Sequence, residues 1–137
     1  MTNAQAKNAV LDRIAGVGGW WKAPGRDNWG SKNGTLHTRC RSNAAHGTTY
    51  AYNFGPAALK MDYQVWICGK PEGYYLIPSE VVRKMYAHQK GYVDKAHPNL
   101  HVANIDVSCH KVTFATEAQR LNFAVIIGRP LCRNQVP

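Results

Sequence analysis

The chain has 137 residues, of which 45% are hydrophobic and 18% charged, and 17 lysines and arginines against 8 acids give a net charge of +9. This size suits one core, so we expect residues 1–137 to form a single domain, and the composition excludes an intrinsically disordered chain. With no apolar run of about 20 residues and no apolar signal core near Met1, we expect a cytoplasmic protein that does not enter membranes.

A helix is predicted over residues 3–16. Thr2 is a suitable N-cap, and the glycines of GVGG end the helix because glycine adopts the left-handed turn there without strain. One face of this helix carries apolar residues at helical spacing, namely Ala6, Val10, Ile14 and Val17.

The next segment, WWKAPGRDNWGSKNG, predicts a short strand at Trp20–Lys22 followed by loop, since proline and several glycines interrupt the rest. TLHTRCR, residues 35–41, alternates in polarity and predicts a half-buried strand with a cationic outer face. That outer face carries His37, Arg39 and Arg41. TTYAYNFG, residues 48–55, predicts another strand with three aromatic residues on one face.

The stretch MDYQVWICGKPEGYYLIPSEVV, residues 61–82, contains two segments that are apolar on both faces, as is typical of central strands. The polar break between DYQVWIC and GYYLIP predicts a tight turn and therefore antiparallel pairing. Ser79 is expected to cap a helix over about residues 80–90. The side chains expected to face inward are Val81, Val82, Met85 and Tyr86.

LHVANIDV and HKVTFA predict a late hairpin. Thr116 is expected to cap a helix near residues 117–127, with FAVII as an alternative closing strand. The order of helix, sequential strands, helix and mixed tail predicts an α/β or α+β domain, with a mixed or antiparallel central sheet flanked by helices.

Charge is concentrated between Trp20 and Lys60, where six basic residues and one acid, Asp27, leave +5 of the total +9. A field of this sign favours polyanions, among which nucleic acid is the commonest. Trp29 lies among these cations and is expected to stack on unpaired bases, whereas Trp20 and Trp21 are expected in the core. The candidate nucleic-acid contacts are Lys22, Arg26, Trp29, Lys32, Arg39 and Arg41.

LHTRCRS, HGTTYAYNFG and the 61–82 stretch resemble the later part of small PD-(D/E)XK nuclease-like proteins, such as intron-encoded and phage-type endonucleases and resolvase relatives. The resemblance covers residues 35–86. It implies a nuclease-like core, DNA as the partner and, in an active enzyme, metal-dependent cleavage in which acids hold Mg²⁺ and a lysine positions the attacking water. At the matching catalytic positions this chain has Asp27, His37 and Arg39.

These three residues depart from the pattern of the family. Histidine replaces the second acid, and arginine, which stays protonated and cannot act as a base, replaces the lysine. A single carboxylate is a poor Mg²⁺ site. We therefore expect a nucleic-acid-binding protein with a degenerate catalytic site, no bound metal and no cofactor, or Mg²⁺ as the cofactor if the site is active.

Other residues suggest alternatives to nucleic-acid binding. His97, His101, Cys109 and His110 lack the paired spacing of a zinc site, so we expect scattered histidines. The main alternative belongs to a different class: a small non-enzymatic adaptor of a mobile element with a protein or small-molecule partner. A homodimer is left open in both cases.

Overall fold

The computed structural model describes residues 2–69, 73–88 and 91–115. Its elements in chain order are α1 (Asn3–Ala15), β1 (Trp20–Lys22), β2 (Asn28–Ser31), β3 (Gly34–Arg41), β4 (Thr49–Phe54), a short 3-10 helix (Ala58–Lys60), β5 (Tyr63–Cys68), β6 (Tyr74–Pro78), α2 (Ser79–Tyr86), β7 (His101–Asp106) and β8 (Lys111–Thr113). The helix predicted near residues 117–127 lies outside the described residues.

The strands form two sheets. The first has the order β1-β2-β3-β5-β6, and the second has the order β4-β7-β8. All pairings are antiparallel except that of β3 with β5, which is parallel. Asp62 ties the starts of these two strands together, because its Oδ2 accepts hydrogen bonds from the Thr35 backbone N–H (2.8 Å) and hydroxyl (3.1 Å). The predicted α+β class with a mixed sheet is confirmed.

The five-stranded sheet is covered on both faces. The α1 helix packs on one face through Ala6, Val10 and Leu11, which meet side chains of β3, β5 and β6. The second sheet and α2 cover the other face and enclose a larger core. Its buried aromatic residues are Tyr52, Phe54, Trp66, Tyr75 and Phe114. The result is three layers: α1, the five-stranded sheet, and a layer formed by the second sheet together with α2.

The first helix begins as predicted. Thr2 and Gln5 form a reciprocal capping box, in which the Thr2 hydroxyl accepts from the Gln5 backbone N–H and the Gln5 side chain accepts from the Thr2 backbone N–H. The prediction for Val17 is wrong, because the helix ends at Ala15 and Val17 lies in the following turn, 91% exposed.

The predicted pair in the 61–82 stretch is confirmed: β5 and β6 are antiparallel neighbours, and Val65, Ile67 and Ile77 are fully buried. Leu76, which was expected inside with them, is only partly buried. However, among the strands that the structure describes, β6 is the last of its sheet and not a central one. Its sequence is apolar on both faces because α1 lies on one side of it and the second layer on the other.

The boundaries predicted for the second helix need correction. Pro78 occupies the N-cap position of α2, and Ser79 is its first helical residue. The buried Ser79 hydroxyl accepts a hydrogen bond from the Gln64 side chain (2.8 Å), so it is bound to the sheet and does not cap the helix. The helix ends at Tyr86, before the predicted residue 90. Val82 and Met85 are buried as predicted, and Val81 and Tyr86 are partly buried against the same core.

One further expectation is wrong. The segment predicted as loop contains β2, which forms a hairpin with β3 across Lys32 and Asn33. Gly34, the first residue of β3, has a φ of 134°, which favours glycine.

The strand predicted over residues 48–55 is β4, which pairs with β7 in the second sheet. In that sheet β7 and β8 form the predicted late hairpin.

Among the described residues, no helix combines the length and apolarity needed to span a bilayer.

The layered core can be tested at β6. Ile77→Ala removes a fully buried side chain between the sheets, so we expect the free energy of unfolding to fall by about 2–5 kcal/mol. Leu76→Ala is the matched control, because Leu76 is only partly buried and should cost less. Urea denaturation followed by circular dichroism measures both values. Equal costs would contradict the burial of this face by the second sheet.

Candidate nucleic-acid interface

A pocket of about 310 Å³ lies between the two sheets. One wall belongs to the five-stranded sheet and the loop before β2, and carries Gly25, Arg26, Asn28, His37 and Arg39. The opposite wall follows the end of β4 into the 3-10 helix and includes Leu100, which precedes β7; its residues are Asn53, Phe54, Gly55, Pro56, Ala57, Ala58 and Leu100. One wall is therefore polar and cationic, and the other is mainly apolar.

The register of β3 places the cationic residues in this pocket. Alternate β3 residues face opposite sides of the sheet, and Leu36, Thr38 and Cys40 turn toward α1. His37 and Arg39 therefore face the second sheet and are half-buried. The predicted cationic face of β3 is thus only partly exposed to solvent. The second sheet covers it at His37 and Arg39, whereas Arg41 is exposed.

Hydrogen bonds fix the tautomer of His37. The Asn28 Nδ2 donates to the Pro24 carbonyl (2.9 Å), which turns Asn28 Oδ1 toward His37 Nδ1 at 2.7 Å. Because Oδ1 can only accept, Nδ1 carries the imidazole proton and Nε2 is left as an acceptor. Burial, followed by the charge of Arg39, lowers the pKa of His37 to about 4, so the ring is neutral at pH 7.

Arg39 is a half-buried cation. Burial, followed by repulsion from Arg41, lowers its pKa from the usual value, but an arginine so placed stays protonated at neutral pH. Within the described parts of the chain, no hydrogen bond or ion pair joins the Arg39 guanidinium to another residue. Arg41 donates through Nε to the Ala51 carbonyl (3.1 Å), which leaves its terminal nitrogens available.

Asp27 does not join His37 and Arg39 in a metal site. Its carboxylate accepts from Lys7 of α1 at 2.9 Å, and its backbone carbonyl accepts from the Thr38 N–H at 3.0 Å. Burial raises the pKa of Asp27, but the hydrogen bond and charge of Lys7 outweigh burial, so the pKa is lowered overall. The carboxylate is thus engaged by Lys7 of α1, although its charge still acts on His37 and Arg39.

Within residues 2–69, 73–88 and 91–115, no group of three or more histidine, cysteine, aspartate or glutamate side chains could hold a metal ion.

The prediction that Trp29 is the aromatic residue of the cationic surface is wrong. Trp29 pairs with Leu36 across β2 and β3 and so lies on the α1 face, in edge contact with Trp20 at 5.3 Å. Its Nε1 donates to the Thr38 hydroxyl at 3.0 Å. Lys22 lies over the Trp29 ring and donates to three backbone carbonyls, so it too is held away from the pocket.

Trp21, which was expected in the core, is an exposed aromatic residue on the pocket side of the sheet. It pairs with Gly30, which pairs with Thr35, and this places it on the face of His37 and Arg39. The indole lies so close over Gly30 that a Cβ there would collide with it, and the side chain is 56% exposed. Sequence alone could not show which of the adjacent Trp20 and Trp21 faces the core. The answer depends on the pairing register of β1 with β2.

Three of the six predicted contacts therefore share one region: Arg26 and Arg39 line the pocket, and Arg41 continues the same face of β3. Lys32 lies at the tip of the β2–β3 hairpin, exposed and away from them. Asn28 and Asn53 also line the pocket and were not predicted from the sequence. Asn28 was assigned to a loop, and Asn53 reaches the pocket through a second sheet that the sequence did not predict.

No family model, no curated protein and no solved structure matches this chain.

The state of His37 can be measured. We expect nuclear magnetic resonance titration of its ring carbons to give a pKa of about 4 in the folded protein, against a value near 6.5 in urea. Since the folded-state pKa is the lower one, the contribution of His37 to stability is complete above pH 6.5 and is lost as the pH falls towards 4. A folded-state pKa near 6.5 would contradict the described burial and the role of His37 as an acceptor.

Proposed function

We propose that this protein binds nucleic acid, with DNA as the expected form, through the open side of the pocket and the exposed end of β3. The observation that carries this proposal is the alignment of Arg39 and Arg41 on one strand face, with Arg26 at the rim of the same pocket. Arginine suits phosphate because its planar guanidinium can donate to two oxygens at once.

The charges around these arginines support the proposal. Among the described residues neither Arg39 nor Arg41 has a carboxylate partner, and Arg26 approaches Asp27 at 3.9 Å while its own side chain is 95% exposed. Asp27 is paired more closely with Lys7. The positive charge of this face is therefore available to a polyanion, and a field of this sign steers such a partner to the surface.

The aromatic part of the surface is Trp21. It lies on the same sheet face as the arginines, and one side of its ring rests on Gly30. A ring held in this way offers its other side to an unpaired base. We therefore propose that the bound nucleic acid includes a single-stranded or frayed segment.

The proposal concerns binding and does not include cleavage. The degenerate motif at Asp27, His37 and Arg39 has one carboxylate, and that carboxylate is engaged by Lys7. With Mg²⁺ or Mn²⁺ we expect no more than weak cleavage of duplex, branched or single-stranded DNA. Robust metal-dependent cleavage that is lost in Asp27→Asn would restore the nuclease hypothesis.

The adaptor hypothesis has less support. The large hydrophobic side chains exposed in the described residues are Val17, Trp21 and Val93, which belong to separate segments. Salt separates the two hypotheses, since phosphate binding weakens steeply with salt through counterion release and an apolar partner site does not.

The arginines can be tested by fluorescence anisotropy on duplex DNA at several salt concentrations. Arg39→Ala combined with Arg41→Ala should weaken binding to any sequence and flatten the slope of log K against log salt by about two units, one for each arginine removed from a phosphate. Lys95→Ala combined with Lys111→Ala is the matched control, because it removes two exposed positive charges elsewhere and should keep the slope. No binding by wild type at low salt, or equal slopes for the two double variants, would refute the proposal.

The tryptophan is tested with single-stranded oligonucleotides. Trp21→Ala should weaken their binding about tenfold, in the range of one stacked base, and should affect duplex binding much less. Trp29→Ala should instead lower the free energy of unfolding, because Trp29 packs between Trp20 and β3. If Trp21→Ala reduces duplex and single-strand binding equally, the ring does not stack on a base.

A further inference from the structure

We infer that the pocket between the sheets holds one nucleotide unit, with its phosphate on Arg39 and Arg26 and its base against the apolar wall. The inference rests on the proposed function, because it uses the same arginines, and it adds the class of ligand that the pocket takes. A nucleotide combines an anionic group, a flat ring and N–H donors, and the walls of the pocket offer a counterpart to each.

One hydrogen-bond acceptor in the pocket has a fixed orientation. Asn28 holds the proton of His37 on Nδ1, which leaves Nε2 as an acceptor. An acceptor fixed in this way discriminates in favour of ligands that carry N–H or O–H groups, as the edges of bases and sugars do.

The cation and the apolar wall occupy different parts of the pocket. Arg39 and Arg26 belong to the sheet wall, whereas Phe54, Pro56 and Leu100 belong to the opposite wall. A ligand that is charged throughout would leave the apolar wall without a partner, and an apolar ligand would leave the Arg39 guanidinium unpaired. A volume of about 310 Å³ is within the range of small-molecule sites.

The energetics of this sheet face also favour a ligand. Asn28 and His37 line the pocket and are register neighbours on β2 and β3, so they form a polar row on the covered face. Arg39, in the next row, has no partner among the described residues. A half-buried charge without a partner costs free energy, which an anionic ligand would recover. A face that serves packing alone would carry apolar side chains here.

Isothermal titration calorimetry with deoxynucleoside 5′-monophosphates tests the inference, with the corresponding nucleosides and inorganic phosphate as comparison ligands. We expect the nucleotides to bind at least tenfold more tightly than either comparison ligand, because only they engage both walls.

Ala57→Phe fills the pocket from an exposed position and should abolish nucleotide binding while the protein stays folded. Ala45→Phe, at another exposed alanine, is the matched control and should bind as wild type does. Thermal unfolding of each variant confirms folding. Binding of phosphate as tightly as nucleotide, or wild-type nucleotide affinity in Ala57→Phe, would overturn the inference.

Failure of the inference is distinguishable from failure of the proposed function. If Ala57→Phe keeps the duplex affinity and salt slope of wild type, and wild type binds no mononucleotide, then the arginines bind the backbone of DNA and the pocket holds no nucleotide. That outcome overturns the inference alone. If the Arg39→Ala and Arg41→Ala double variant also keeps the wild-type slope, both are wrong.

Discussion

The parallel pairing of β3 with β5 determines the rest of this structure. Six register pairs, from Leu36–Tyr63 to Arg41–Cys68, join the two strands. Parallel strands cannot be joined by a hairpin, so residues 42–62 must leave the sheet and return to the other end of it. These residues form β4 and the 3-10 helix. The β4 strand pairs with β7, which pairs with β8, and the three strands form the second sheet. The layer over β3 and β5 is therefore a consequence of how they are connected.

That layer sets the chemistry of the cationic strand. Without it, His37 and Arg39 would be solvated side chains with ordinary proton affinities. Under it, His37 is held neutral by burial and by Arg39, and its free nitrogen becomes an acceptor. The Arg39 guanidinium keeps its charge but is less hydrated, so a phosphate that replaces the missing water gains more than it would from an exposed arginine.

The helix on the opposite face has a different effect on the motif that resembles the nucleases. Lys7 of α1 binds Asp27, the single acid of that motif, at 2.9 Å. The carboxylate that suggests a metal site in the sequence is thus paired with a lysine of the helix.

The sequence by itself determined the local structure: the Thr2 cap of α1, the alternation of β3, and the apolar pair β5 and β6 with the turn between them. These features depend on near neighbours and on period, both of which a single sequence displays. It also placed Arg39 and Arg41 on one strand face. It could not determine which layer covers that face, because alternation reports that two faces differ and not what packs on each. The tertiary structure alone decided three features: Trp21 and not Trp29 shares a face with the arginines, Asp27 forms an ion pair with Lys7, and Asn53 lines the pocket. Each of these depends on contacts between residues far apart in the chain.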